Sequence, residues 1–186
     1  QKIHHLESVA EYNAMLGVET LHPLVSVVDL SEAHPMRHFR QTYGFYAVFL
    51  KEIKCGDMIY GRHYYDYQEG TLVCLAPGQV IGFEDDGREF QPKGWALVFH
   101  PDLIRGTSLG RNMKEYGFFS YEVNEALHLS ERERGMVVDC FGKIRHELEH
   151  AIDRHSKRLI AINIEMLLDY CLRFYERQFI TRSNVN

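Results

Sequence analysis

The sequence lacks most of what would make a function legible at first sight. No apolar run reaches the roughly 18 residues of a membrane span. There is no Gly-x-Ser-x-Gly nucleophile elbow. The segment Arg105-Gly106-Thr107-Ser108-Leu109-Gly110 is a glycine-bearing loop without the Lys-Ser/Thr that phosphate cradling needs. The four cysteines, Cys55, Cys74, Cys140 and Cys171, form no C-x-x-C pair, and Cys74 and Cys171 sit in apolar runs as small hydrophobes would. No charged-then-apolar leader is visible in a chain that starts at Gln1. A reducing, cytoplasmic setting is therefore expected.

Positive charge is also scarce. Residues 1–125 hold 11 basic and 17 acidic side chains, and residues 126–186 hold 10 and 9. Neither part is basic enough to neutralise phosphates along a duplex, so this chain alone is a poor nucleic-acid binder. What is present is core. Of 186 residues 45% are hydrophobic and 12% aromatic, too much apolar surface to stay solvated. The length fits one domain with an appendage.

Ser8-Val9-Ala10-Glu11 reads as a capping box opening a short helix to Leu16, with Gly17 as its left-handed stop. Leu24–Val28 reads as a strand. From Phe45 to His100 short apolar runs alternate with Gly and Pro turns: Phe45–Ile53, Met58–Tyr67, Thr71–Ala76, Val80–Phe83 and Trp95–His100, with turns at Cys55-Gly56-Asp57 and Glu69-Gly70. That spacing indicates an antiparallel sandwich or barrel. After residue 125 the period becomes helical. Ser130-Glu131-Arg132-Glu133 is a capping box for a helix to Asp153, with an apolar stripe at Val137, Cys140 or Phe141, Ile144, Leu148 and Ile152. Ser156 is placed to cap a second helix to Phe179, and Thr181–Asn186 reads as a frayed tail.

Three constellations could carry chemistry. His146-Glu147-Leu148-Glu149-His150 matches the zinc motif H-E-x-x-H. It lacks a supported third ligand, and His146 points away from the apolar stripe, so a solvated face is the better reading. The run Met58–Tyr67 is dense in polar aromatics. With Tyr46 and Trp95, its residues Tyr60, His63 and Tyr65 are candidates to line a cavity for a small organic ligand. Strand alternation puts Tyr60, Arg62 and Tyr64 on one face and Gly61, His63 and Tyr65 on the other, with the inward face left open. A barrel metal site would need more than His63 and His100, and H-x-H followed by Glu is missing. Last, Ile160, Ile164, Leu167, Cys171, Phe174 and Gln178 recur at 4-3-4-3-4 spacing, a heptad seam. The first five are candidates for a dimer interface.

The stretches Tyr64–Val80, Trp95–Gly110, Phe118–Glu133 and Met166–Arg182 resemble the N-terminal regulatory domain of AraC-family bacterial transcriptional regulators, in a Bacteroidetes-like subgroup. With its connecting segments the resemblance covers most of the chain. It implies an α+β fold: a cupin-like antiparallel β barrel of the jelly-roll type over residues 1–125, binding a small effector, with sugars the first candidates. Two long helices over residues 126–186 would follow for homodimerisation. It also implies a C-terminal helix-turn-helix module that contacts DNA and is absent from this chain, no enzymatic activity, and no metal or cofactor. The alternative is a metal-dependent cupin-type enzyme using His63, His100 and a carboxylate.

Overall fold

The computed structural model describes residues 2–52, 56–60, 63–67, 70–82, 84–120 and 125–185, and only the backbone at 56–60, 63–67, 184 and 185. The elements are β1 (His4–Leu6), α1 (Val9–Leu16), β2 (Val25–Asp29), β3 (Met36–Arg37), β4 (Arg40–Tyr43), β5 (Tyr46–Lys51), β6 (Gly56–Tyr60), β7 (His63–Tyr67), β8 (Thr71–Leu75), β9 (Val80–Gly82), β10 (Glu89–Phe90), β11 (Gly94–Phe99), α2 (Pro101–Ile104), α3 (Ser108–Asn112), β12 (Leu127–His128), α4 (Glu131–Glu149) and α5 (Ser156–Val185). The expected turn residues Cys55 and Glu69, the positions Gly61 and Arg62, and Phe83 at the end of the fourth run lie outside the described residues.

The strands form two five-stranded sheets, ordered β1-β4-β9-β6-β7 and β12-β8-β5-β11-β2, plus a two-stranded ribbon of β3 and β10. All pairings are antiparallel except β1 with β4. Among the described residues no ladder joins the two large sheets, so the expected closed barrel is replaced by two separate, opposed sheets.

The second sheet is the middle layer of three. Ala47 and Phe49 of β5, Val73 and Leu75 of β8, and Ala96 and Val98 of β11 pack with α1 and with Tyr43 and Ile81 of the first sheet. Their strand neighbours Val48, Leu50, Leu72, Cys74, Leu97 and Phe99 pack on the opposite side with α4 and α5. Side chains alternate across a strand, so a strand buried on both faces must be apolar at every position. That is why these runs show little polar alternation. Gly94 is required where the sheet is tightest: at φ 121° it sits so close to Leu50 O that a Cβ would collide with it.

Local signals set the helix ends. Ser8 Oγ accepts from Glu11 N, and Gly17 ends α1 at φ 75°. The Glu11 carboxylate accepts from Glu7 N rather than from Ser8 N, so only half of the expected box forms there. The box at Ser130 and Glu133 is complete. Helix α4 stops at Glu149, earlier than its apolar period suggests, leaving Ile152 exposed. Asp153 then opens α5 by accepting from His155 N, while Ser156 Oγ accepts from Asp153 N. The expected frayed tail is instead helical to Val185.

Two outcomes are expected from this packing. Phe141 is fully buried between Trp95 and the α5 core, so Phe141→Ala lowers stability by about 3–5 kcal/mol, read as a fall in urea midpoint. Burial pushes the Cys140 thiol up to about 11, and pushes Cys74 up as well, with its hydrogen bond to Cys171 adding to the effect. Iodoacetamide at about pH 8 therefore leaves Cys74 and Cys140 unmodified in the folded chain, burial alone shields Cys171, and all three are alkylated in urea. Peptide mass spectrometry reads the difference.

Candidate functional site

The space between the two sheets holds a cavity lined by aromatic and polar side chains. Its floor is an aromatic cluster: Tyr12 of α1 meets Tyr43 and Phe45 edge-on at 5.8 Å each, and Tyr43 stacks on Phe45 at 4.8 Å. Tyr43 Oη donates to Gln41 Oε1 at 2.7 Å. Burial pushes the Tyr12 hydroxyl far above its ordinary value, so it stays protonated. The mouth is polar. His38 stacks on Phe90 at 4.2 Å, Lys51 Nζ stands 5.4 Å from the Phe49 ring, and Arg37 makes a forked ion pair with Asp85. The first sheet is tight at this rim, since Gly82 at φ 125° packs against Phe39 O.

The cavity is small, about 90 Å³. Pockets that enclose a drug-sized ligand are roughly 300–1,000 Å³. Met15 and Met36 line it, and unbranched methionines reorient more easily than other core residues.

The five candidate ligand residues divide between two places. The run read as one strand, Met58–Tyr67, is a hairpin of β6 and β7, with Tyr60 opposite His63 and Met58 opposite Tyr65. Tyr60 also pairs with Ile81 of β9, and Ile81 with Gln41 of β4. Register therefore places Tyr60, His63 and Tyr65 on one sheet face, the face of Gln41 and Ile81, and not on the two faces that a single strand would give them. Their side chains lie outside the described residues. Tyr46 and Trp95 belong to the other sheet and to its helix side. Tyr46 stacks on Phe99 at 5.1 Å, and Trp95 stacks on Phe141 at 6.0 Å with the Arg145 guanidinium 5.7 Å from its ring. These two do not line the intersheet cavity. Tyr12, Met36, His38 and Tyr43, which do, lie in α1 and in short strands and loops that carry no periodic signal.

The heptad seam is also spent inside the chain. Ile160, Ile164, Leu167 and Cys171 are fully buried and Phe174 nearly so, all within the core shared by α4, α5 and the middle sheet. Gln178, the polar member, accepts from His128 N at 2.7 Å and donates to Ala126 O at 3.2 Å, holding the β12 edge. Arg177 adds hydrogen bonds to His128 O and Glu133. The seam dimer expected from spacing is thus corrected: these residues are unavailable to a second chain unless the core opens.

Among the described residues no three His, Cys, Asp or Glu side chains converge in a metal-binding group. His100 Nδ1 accepts from Asp102 N at 3.0 Å and so caps α2. In the H-E-x-x-H segment α4 ends at Glu149, and His150 adopts extended backbone at ψ 158°. The two histidines therefore lack the shared helix face that zinc ligation requires. No helix among the described residues is long and apolar enough to cross a membrane.

No protein-family model matches the chain, and no curated protein matches it. Among solved structures it is similar to the crystal structure of the AraC-like transcriptional activator CuxR, at 13% identity and a TM-score of 0.42, over 70% of this chain and 42% of that one. The chain thus spans less than half the length of that neighbour.

A pH dependence follows from the cavity mouth. Burial holds the His38 pKa below 6.5, against the opposing fields of Asp86 and Asp85. In the unfolded chain His38 titrates near 6.5. The unfolded state then binds more protons below that pH, so stability is full above about 6.5 and falls as pH drops toward the folded pKa. His38→Gln is expected to flatten this fall in melting temperature between about pH 7.5 and 5. An unchanged slope would show that His38 is not displaced.

Proposed function

We propose that this chain is the ligand-sensing and dimerisation part of an AraC-type bacterial transcriptional regulator, acting in the cytoplasm through binding and not catalysis. In this reading residues 1–125 are a cupin-like jelly roll and residues 126–186 the dimerisation segment. DNA contact belongs to a helix-turn-helix module outside this chain, in keeping with the net charge of −5. The effector is a small organic molecule, with sugars the first class to try. It enters between the sheets by moving Met15 and Met36.

The observation that carries the reading is a second, exposed seam on α5. Leu159, Ile162, Met166 and Ile180 are large hydrophobics exposed by 40% to 61%. With Asp169, Arg173 and Glu176 they recur at 3-4-3-4-3-4 spacing, again the heptad of a paired helix. The seam is self-complementary at two of three pairings. In an antiparallel pair of copies, Ile162 falls opposite Ile180, Met166 opposite Glu176, and Asp169 opposite Arg173. A two-fold interface demands that match. In this reading the dimer uses this face of α5, one side round from the buried seam. An effector that binds one arrangement of the pair better than another shifts how the DNA-reading parts are presented.

Light scattering after size exclusion is expected to give a dimer. Met166→Glu with Ile180→Glu is expected to give a folded monomer of unchanged circular dichroism. Ile164→Glu, on the buried seam, is expected to unfold the chain. A wild-type monomer at about 50 µM, well above typical dimer Kd values, would remove the dimerisation half of the proposal. For the sensing half, a sugar and metabolite panel should contain a compound that raises the melting temperature of the wild type but not of Tyr43→Ala.

A further inference from the structure

Helix α5 begins against the electrostatic grain. Its first turn carries Lys157 and Arg158 and no acidic residue. Cations at a helix N-terminus face the positive end of the helix dipole and cost stability. More cations face them across a cleft of about 620 Å³. Arg105 and Arg111 come from the segment spanning α2 and α3, and Arg154 from the approach to α5. Among the described residues the one carboxylate in the lining is Glu165.

Little within the chain neutralises this group. Arg105 pairs with Asp102 at 2.6 Å, and Arg154 Nε donates to the His155 ring at 3.2 Å. Asp153 lies nearby but is engaged in opening α5. Among the described residues, the side chains of Arg111, Lys157 and Arg158 have no ion-pair or hydrogen-bond partner. Five cations around one recess repel one another at every separation within a Debye length. A chain of net −5 that gathers them here lowers its own stability unless an anion occupies the recess.

The rest of the lining suits an organic body. Leu109 and Ala161 form a buried floor. Glu165 Oε2 accepts from Ser108 Oγ at 3.2 Å and Asn112 Nδ2 at 2.9 Å. That fixes the carboxylate and leaves Oε1 for a ligand hydroxyl or amine. The volume lies in the range of small-molecule pockets. Five lining cations exceed the about two negative charges of a single phosphate, whereas two or more phosphates come closer to balancing them.

We propose that this cleft binds a small organic molecule carrying two or more phosphate groups. The site is separate from the intersheet cavity and stands whether or not the regulator reading does. A polynucleotide is the less favoured occupant, because a recess in an acidic chain does not track a backbone as a basic stripe does.

Isothermal titration calorimetry on the full chain tests this, with inorganic pyrophosphate, adenosine diphosphate, sulfate and a mixed-sequence DNA duplex at about 0.1 M salt. Pyrophosphate is expected to bind saturably at one per chain, adenosine diphosphate at least as tightly, and sulfate at least tenfold more weakly. Combined Arg111→Ala, Lys157→Ala and Arg158→Ala is expected to cost tenfold or more in affinity. Its unliganded melting temperature should be at or above that of the wild type, and Arg88→Ala, at an exposed position outside the cleft lining, should bind normally. Sulfate equal to pyrophosphate would reduce the cleft to an adventitious ion site. Adenosine diphosphate weaker than pyrophosphate would exclude the organic body. Unchanged binding in the triple variant, or a duplex preferred over both phosphates, would overturn the proposal.

Discussion

Burial of the middle sheet on both faces is the constraint on which the rest of the structure depends. An antiparallel sheet can leave one face to water and so needs only every second residue to be apolar. Here β5, β8 and β11 have no face to spare. Ala47, Val48, Phe49 and Leu50 point in turn to the intersheet core and to the helix core. The two long helices are therefore a structural layer and not an appendage. Removing them would expose Val48, Leu50, Cys74, Leu97 and Phe99 together, a patch far larger than soluble chains tolerate. Any displacement of α5 must be accommodated by the sheet beneath it, because packed cores shift between discrete arrangements and do not deform continuously.

The same constraint explains what could be read from the sequence. Capping residues announce themselves within four positions, so Ser8, Gly17 and Ser130 mark real helix ends. Long apolar runs between Gly and Pro turns mark β5, β8 and β11 to within a residue or two. Parity is another matter. When both faces of a strand are apolar, nothing local says which face meets which layer, and Tyr46 and Trp95 were free to fall on either side. They fell on the helix side. The run Met58–Tyr67 failed differently. Its density of β-forming aromatics favours one long strand, and the hairpin depends on pairing with β9, which no local pattern records. Strands of two to four residues, such as β3, β4, β10 and β12, are too short to carry a period at all.

Helix α5 shows how a heptad pattern can be right about geometry and wrong about partner. It carries two seams. The more apolar one, Ile160 to Phe174, goes to the chain's own core, as hydrophobic burial requires. The weaker one keeps an apolar N-terminal half and a charged middle. An interface between soluble chains has that mixed character, since it must also be tolerable in water when unpaired. Spacing cannot rank the two, but burial does.

These features meet on a single rigid element. The first turn of α5 stands in the basic cleft, its middle carries the exposed seam, and its last turns hold β12 through Gln178 and the approach to it, at Glu125, through Tyr175 and Arg182. Strand β12 is the edge of the middle sheet, which forms one wall of the intersheet cavity. A change in charge at one end of α5 and a change in packing between the sheets thus act on the same helix from opposite ends. Coupling between them requires only that α5 have two seats on the sheet and that each ligand prefer one. The cations at its start, Lys157 and Arg158, are where such a preference for an anion would act.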